Sequence, residues 1–179
     1  MGRSRYKIYD SSYPYFITCT ILHWIPIFTR PQTVEIVIDC LKYLQDNSGL
    51  TIYSFVILEN HLHLIVKSDD VSNDMTRFKS FTARSIIDYL QKQNAKSILD
   101  QLKFYKIAHK TDRELQLWQE GFQPKQIQNA DMMIERVNYI HNNPVKRGYV
   151  DNPEHWRYSS ARIYAGESGM LDIEIPDGF

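Results

Sequence analysis

The sequence predicts an α+β fold of the ferredoxin-like kind, an antiparallel sheet built in the order βαββαβ with helices on one face and a C-terminal extension. Three observations carry this. Runs dense in β-branched and aromatic residues occur at 15–22, 50–58 and 61–68. Two stretches with apolar residues at helical spacing lie between and after them. Only Glu59-Asn60 separates the second and third runs, a connection short enough for an antiparallel hairpin.

In chain order, Tyr15-Phe-Ile-Thr-Cys-Thr-Ile-Leu22 reads as the first strand. Pro31 opens a helix whose apolar face is Val34, Val37, Ile38, Leu41 and Leu44, and Gly49 ends it. The two strands of the hairpin follow. A second helix, capped by Ser72 or Asn73, repeats Met75, Phe78, Phe81, Thr82, Ser85, Ile86 and Tyr89 and ends near Gln93. Residues 94–115 carry no clear period, Leu117-Trp118-Gln119 is the candidate fourth strand, and Asn129 caps a third helix that runs to about His141. Asn142-Asn143-Pro144 is expected to stop that helix, because the residue before a proline is driven out of the α region. The tail from Asn152, with Trp156-Arg157-Tyr158-Ser159-Ser160, is expected to pack back on the body.

At 179 residues the chain fits one domain, residues 1–179, with a core at about 15–164 and no internal repeat. Lys plus Arg number 21 and Asp plus Glu number 21, so no net field draws a polyanion. The positive charge is clustered instead, at Arg3, Arg5 and Lys7, at Arg77, Lys79 and Arg84, and at Lys103, Lys106 and Lys110. Each cluster is either a solvated face or part of a phosphate-tracking groove. Cys19 and Cys40 lack the spacing of a redox or zinc site, which implies idle thiols in a reducing compartment. No signal peptide or membrane-spanning run is visible, so a cytoplasmic protein without a membrane partner is expected.

Along Asn60-His61-Leu62-His63-Leu64-Ile65-Val66 the side chains alternate, so His61 and His63 project from one face of the strand and Leu62, Leu64 and Val66 from the other. Two imidazoles so placed can converge on one metal ion, or be ordinary polar residues on an exposed face. As ligands on an exposed strand face they contribute little packing, so replacing either by Ala should weaken metal binding and spare the fold. On the third helix, steps of ~100° gather Ala130, Ile134, Val137 and His141 as the core stripe and leave Tyr139 pointing away, beside Glu135. Such a tyrosine is a surface residue, an interface residue or a group presented to a site. A phenol becomes a competent nucleophile when its proton is removed or its position fixed, and a metal acting on the electrophile lightens that demand.

In His61-Leu62-His63, Leu117-Trp118-Gln119-Glu120-Gly121-Phe122, Asn138-Tyr139-Ile140-His141-Asn142-Asn143-Pro144-Val145-Lys146-Arg147-Gly148 and Trp156-Arg157-Tyr158-Ser159-Ser160, the chain resembles the single-tyrosine HUH transposases of the insertion-sequence type. The branch it is most similar to is the REP-associated tyrosine transposases. The resemblance implies that His61 and His63 are metal ligands, that Asn143 takes the third ligand position one turn beyond the tyrosine, and that Tyr139 attacks DNA. It implies Mg²⁺ or Mn²⁺ as cofactor, a 5′-phosphotyrosine intermediate, and single-stranded DNA with a hairpin or repeat as partner. Candidate backbone contacts are Arg77, Lys79, Arg84, Lys103, Lys146 and Arg147. A homodimer is left open. One departure stands out: Leu58-Glu59-Asn60 replaces the family's usual Met-Pro-Asn or Met-Pro-Asp before the first histidine. Two other readings share these residues, a hairpin-binding repressor without transposition and a phosphoesterase that uses a metal-bound water.

Overall fold

The computed structural model describes residues 8, 10–108, 111, 114–120 and 124–179; Arg3, Arg5, Lys7, Lys110, Gly121 and Phe122 lie outside the described residues. Strand β1 is Tyr15–Thr20, helix α1 Pro31–Ser48, strand β2 Thr51–Ile57, strand β3 His61–Lys67 and helix α2 Val71–Lys92. Then come α3 at Lys96–Phe104, β4 at Lys125–Gln126, α4 at Ala130–Lys146 and a short α5 at Ala161–Tyr164. The sheet order is β2-β3-β1-β4 and the pairings β1 with β3, β1 with β4 and β2 with β3 are antiparallel. This is the order that βαββαβ winding gives.

Local chemistry sets most boundaries. Pro31 stands at the start of α1, where its missing N–H costs nothing, and Gly49 closes the helix at φ 64°, donating its N–H to the Leu44 carbonyl. Helix α2 starts earlier than the sequence suggested. Its cap is Asp70, whose carboxylate accepts from the Asn73 N–H at 3.0 Å, rather than Ser72 or Asn73. Asn129 caps α4 as expected, accepting from the Met132 N–H at 2.9 Å.

Two elements differ from the sequence expectation. Leu117-Trp118-Gln119 forms only a single bridge, Trp118 to Ile21, and the fourth strand is Lys125–Gln126. The tryptophan is spent on the core, packed at a tilt against Phe28 and Phe78 with its indole N–H donated to Thr82 Oγ1. Helix α4 does not stop at Asn142 but carries Pro144 inside it as far as Lys146. So near the end the proline removes one ladder bond, while the last turn is closed by Arg147 N–H to Asn143 O, Tyr149 N–H to Pro144 O and Gly148 at φ 72°.

The helices cover both faces. Helices α1 and α2 share the face expected of the two crossover helices, packing Val34, Val37, Leu41, Met75 and Phe78 against Ile17, Phe55, Leu62 and Leu64. Helix α4 covers the opposite face, with Met133, Val137 and Ile140 on Phe16, Val56 and Ile65. Its inward stripe is therefore rotated from the one the sequence suggested: Ala130 is exposed and Ile134 half-buried, while Val137 and His141 are buried as expected. A bulge between Ile52 and Ser54 lets Tyr53 and Ser54 both serve the α4 side. The tail covers the β2 edge: the Ile57 N–H donates to Tyr158 O, the Ser160 N–H to Phe55 O and the Trp156 indole N–H to Ile57 O.

Candidate active site

The site lies between β3, β1 and α4, on the face opposite α1 and α2. Strand alternation sends His61 and His63 there beside Ile65, and antiparallel register sets Thr20 opposite His61 and Thr18 opposite His63. Contrary to the open strand face expected from sequence, both imidazoles are buried, at 3% and 5% exposure. Helix α4 and Phe16 cover them: Phe16 stacks on His63 with ring centroids 5.4 Å apart.

Each histidine has one nitrogen occupied. His61 Nδ1 lies 2.7 Å from Asn60 Oδ1 and His63 Nδ1 2.8 Å from Thr18 Oγ1, and among the described residues neither Nε2 is hydrogen-bonded. Since an amide oxygen only accepts, Asn60 fixes His61 as the Nδ1–H tautomer with the Nε2 lone pair available. The two rings sit 4.9 Å apart at 79°. Burial, with the Arg147 charge nearby, lowers the His61 pKa to about 4 against a pull upward from Glu59. Burial, then His61 and Arg147, lowers that of His63 to about 3. Both are thus neutral near pH 7, the form that can ligate a metal.

Tyr139 comes to this pair from α4. Its ring centroid lies 5.3 Å from that of His63 and 5.9 Å from that of Phe16, and the residue stays 37% exposed. Lys146 Nζ sits 5.7 Å from the centre of the tyrosine ring, two helical turns on. Asn143, one turn beyond Tyr139, is buried, and among the described residues its side-chain amide has no hydrogen-bond partner. No cluster of three His, Cys, Asp or Glu able to hold a metal occurs among the described residues. Besides the two imidazoles, a further protein ligand here would come from outside those four residue types, as the Asn143 amide does, and the free Nε2 atoms and neutral rings suit a divalent ion.

The structure divides the basic candidates. Lys146 and Arg147 lie at the site, although Arg147 is already paired, Nη1 to Glu59 Oε1 at 2.8 Å. Arg77 sits on the other side of the sheet, bonded to Ser48 and Asp74. Arg84 is exposed on the same helix, Lys103 pairs with Glu114, and Lys79 reaches the Gln119 carbonyl at the end of β1. Sequence reasoning missed Thr18, Phe16, Arg136 and the Glu59 to Arg147 bridge. Only Asn60, adjacent to His61, carried a signal in the chain order; the others come from β1, the β2–β3 turn and α4, brought together by the fold. Arg136 lies over the Phe16 ring at 5.4 Å.

No family model matches the chain. A protein of Haemophilus influenzae named a REP-associated tyrosine transposase is 30% identical over 126 residues, spanning 66% of this chain and 67% of that protein. The chain belongs to the REP-associated tyrosine transposases. A solved REP-associated tyrosine transposase bound to a REP hairpin superposes with a TM-score of 0.62 at 19% identity, covering 99% of this chain and 94% of that one, which shows the shared fold. As a member of this family the chain is a transposase, an enzyme that cleaves and transfers DNA strands. The departure at Glu59 leaves the hairpin intact: the Leu58 N–H still donates to His61 O at 2.9 Å, and Glu59 gains the bond to Arg147.

Proposed function

We propose that this transposase cuts and rejoins single-stranded DNA bearing a hairpin, with Tyr139 as nucleophile and His61, His63 and Asn143 as the metal-holding set. The observation that carries this is the approach of the Tyr139 ring to His63, 5.3 Å between centroids, within one chain. A divalent ion such as Mg²⁺ or Mn²⁺ held there would polarise the scissile phosphodiester. The Tyr139 oxygen forms a bond to phosphorus as the bond to the 3′ oxygen breaks, the phenolic proton is lost, and the departing 3′ oxygen takes one up. The product is a 5′-phosphotyrosine and a free 3′ hydroxyl. Attack by a new 3′ hydroxyl reverses the step and completes strand transfer, with no nucleotide cofactor because the covalent link keeps the bond energy.

The chain's own groups prepare this. Lys146 puts a positive charge beside the tyrosine where a phosphate must approach, and Phe16 with His63 buttresses the ring. The capped, packed α4 holds the nucleophile to a fixed position. Because Tyr139 meets the histidines of its own chain, the reading favours a site completed in cis, with dimerisation unnecessary for chemistry. Hairpin recognition comes to this chain from the hairpin-bound relative. A cytoplasmic location goes with a DNA substrate; among the described residues no helix is long and apolar enough to cross a membrane.

The test is incubation of wild type and Tyr139→Phe with 5′- and 3′-labelled hairpin-bearing single strands and Mg²⁺ or Mn²⁺, read on denaturing gels. A covalent adduct from wild type only, carrying the label downstream of the cut, is expected. An adduct that persists in the variant overturns the assignment, and cleavage without any adduct favours a water nucleophile.

A further inference from the structure

Just after β1 the chain makes an unusual turn. His23 and Trp24 are consecutive non-glycine residues with left-handed backbones, φ 51° and 57°. Side chains avoid this region, and such conformations persist only where the surroundings enforce them. Here the neighbours Leu22 and Ile25 are buried anchors, the Trp24 N–H donates to Ile21 O at 3.0 Å, and Asn60 Nδ2 donates to Trp24 O at 3.2 Å. What the strained turn achieves is to hold a large indole outward, 53% exposed.

The other two tryptophans are used differently. Trp118 and Trp156 each donate the indole N–H to a protein acceptor, Thr82 Oγ1 and Ile57 O. Among the described residues the Trp24 indole N–H has no such acceptor. Among those residues its one ring contact is with His61, edge to face, centroids 5.4 Å apart. Asn60 links the two, since the amide that holds the Trp24 backbone also accepts from His61 Nδ1 at 2.7 Å. Trp24, His61, His63 and Tyr139 therefore form an unbroken row of ring contacts. His23, the residue before Trp24, belongs to a separate aromatic group, stacked on Tyr105 at 3.8 Å with Tyr105 against Phe104, which is 80% exposed.

We infer that Trp24 is a base-stacking platform, holding an unpaired base of the DNA strand beside the phosphate that faces Tyr139. The inference rests on the proposed function. A single strand is the occupant that fits: every base offers a π face irrespective of sequence, whereas the bases of a duplex are already stacked on each other. Continuity with the histidine row places the platform where a strand entering the site must pass. The turn's enforced geometry keeps the indole in place before DNA arrives, so little ordering is left to the binding step.

The probe is a single-stranded oligothymidylate of about twelve nucleotides carrying one 2-aminopurine, titrated by anisotropy and by 2-aminopurine emission without metal. Trp24→Ala should weaken binding by roughly tenfold or more, the loss expected for one stacked base, and abolish the quenching that wild type produces. Trp24→Phe should retain most of both, because it keeps a π face. Affinity for a blunt duplex and Mn²⁺ binding by calorimetry should not change. Unchanged oligothymidylate affinity in Trp24→Ala overturns the inference, as does equal loss of duplex or Mn²⁺ binding, which would mark a structural role. Loss of self-association with DNA affinity intact would assign Trp24 to a protein contact and overturn it too. Tyr139→Phe should bind the probe as wild type does, so a failed adduct assay leaves the stacking result readable by itself.

Discussion

The two faces of the sheet are built from the same strands and have opposite characters. Strand β3 sends Leu62, Leu64 and Val66 into a continuous apolar layer under α1 and α2. Its alternate residues, His61, His63 and Ile65, meet α4, where the apolar cluster is smaller and polar groups are buried within it. On that side each buried polar group needs a partner. His141 is held by Ser160 Oγ at 2.8 Å and Ser54 Oγ at 3.2 Å, while among the described residues the site histidines have a partner on Nδ1 only. The first face holds the molecule together. The second gives up apolar burial for groups whose remaining lone pairs are left for chemistry.

The largest expected effect separates chemistry from packing on the α4 face. Tyr139→Phe keeps the ring against His63 and Phe16, so its thermal transition should match wild type while adduct formation is lost altogether. The stability counterpart lies on the other face. Leu64→Ala, fully buried under α1 and α2, should cost roughly 2–5 kcal/mol in denaturant unfolding and leave Mn²⁺ affinity, measured calorimetrically at a permissive temperature, unchanged. If Leu64→Ala were as damaging to metal binding as to folding, the division between faces would fail.

His63→Ala should do both. Sequence alone suggested that this change spares the fold, but a ring at 5% exposure, stacked on Phe16 and bonded to Thr18, leaves a hole and an unpaired hydroxyl. A cost of about 1–3 kcal/mol is expected together with loss of Mn²⁺ binding. Acid should likewise select the α4 face. His141 has its pKa lowered to about 4 by burial from the ordinary 6.5, so the unfolded chain takes up protons first. Its contribution is complete above about pH 6.5 and is lost as pH falls toward 4, with His61 and His63 acting in the same direction. Urea midpoints measured across that range should fall. They should fall less steeply in His141→Gln, which cannot titrate.

The smallest effect tests the latch between the β2–β3 turn and the end of α4. Arg147→Ala removes the partner of Glu59, whose other oxygen, Oε2, is already buried without a hydrogen bond. A loss near 1 kcal/mol is expected for a part-exposed pair. The sharper readout is His61: Arg147 depresses its pKa and Glu59 raises it, so NMR titration should show it moving up in the variant.

What the sequence determined by itself was what depends on neighbours along the chain. Proline at a helix start, glycine at a helix end, Asn129 as a cap and the two-by-two alternation of His61 and His63 are local rules of backbone geometry, and each held. Tyr139 was legible as out of place on its helix for the same reason, and the motif order tied it to the histidines. Tertiary structure decided what depends on which surfaces meet. The rotation of α4 was set by packing on Phe16, Val56 and Ile65, which periodicity could not see because Ala130 and Ile134 fit a helical stripe equally well. Pro144 stayed helical because its turn is buried and closed by later residues, a compensation outside the range of the local penalty. Thr18 and Phe16 reached the histidines through antiparallel register, and Trp24 reached them through a strained turn held by Asn60. These are contacts between residues far apart in sequence, and their free energy exists only once the sheet has formed.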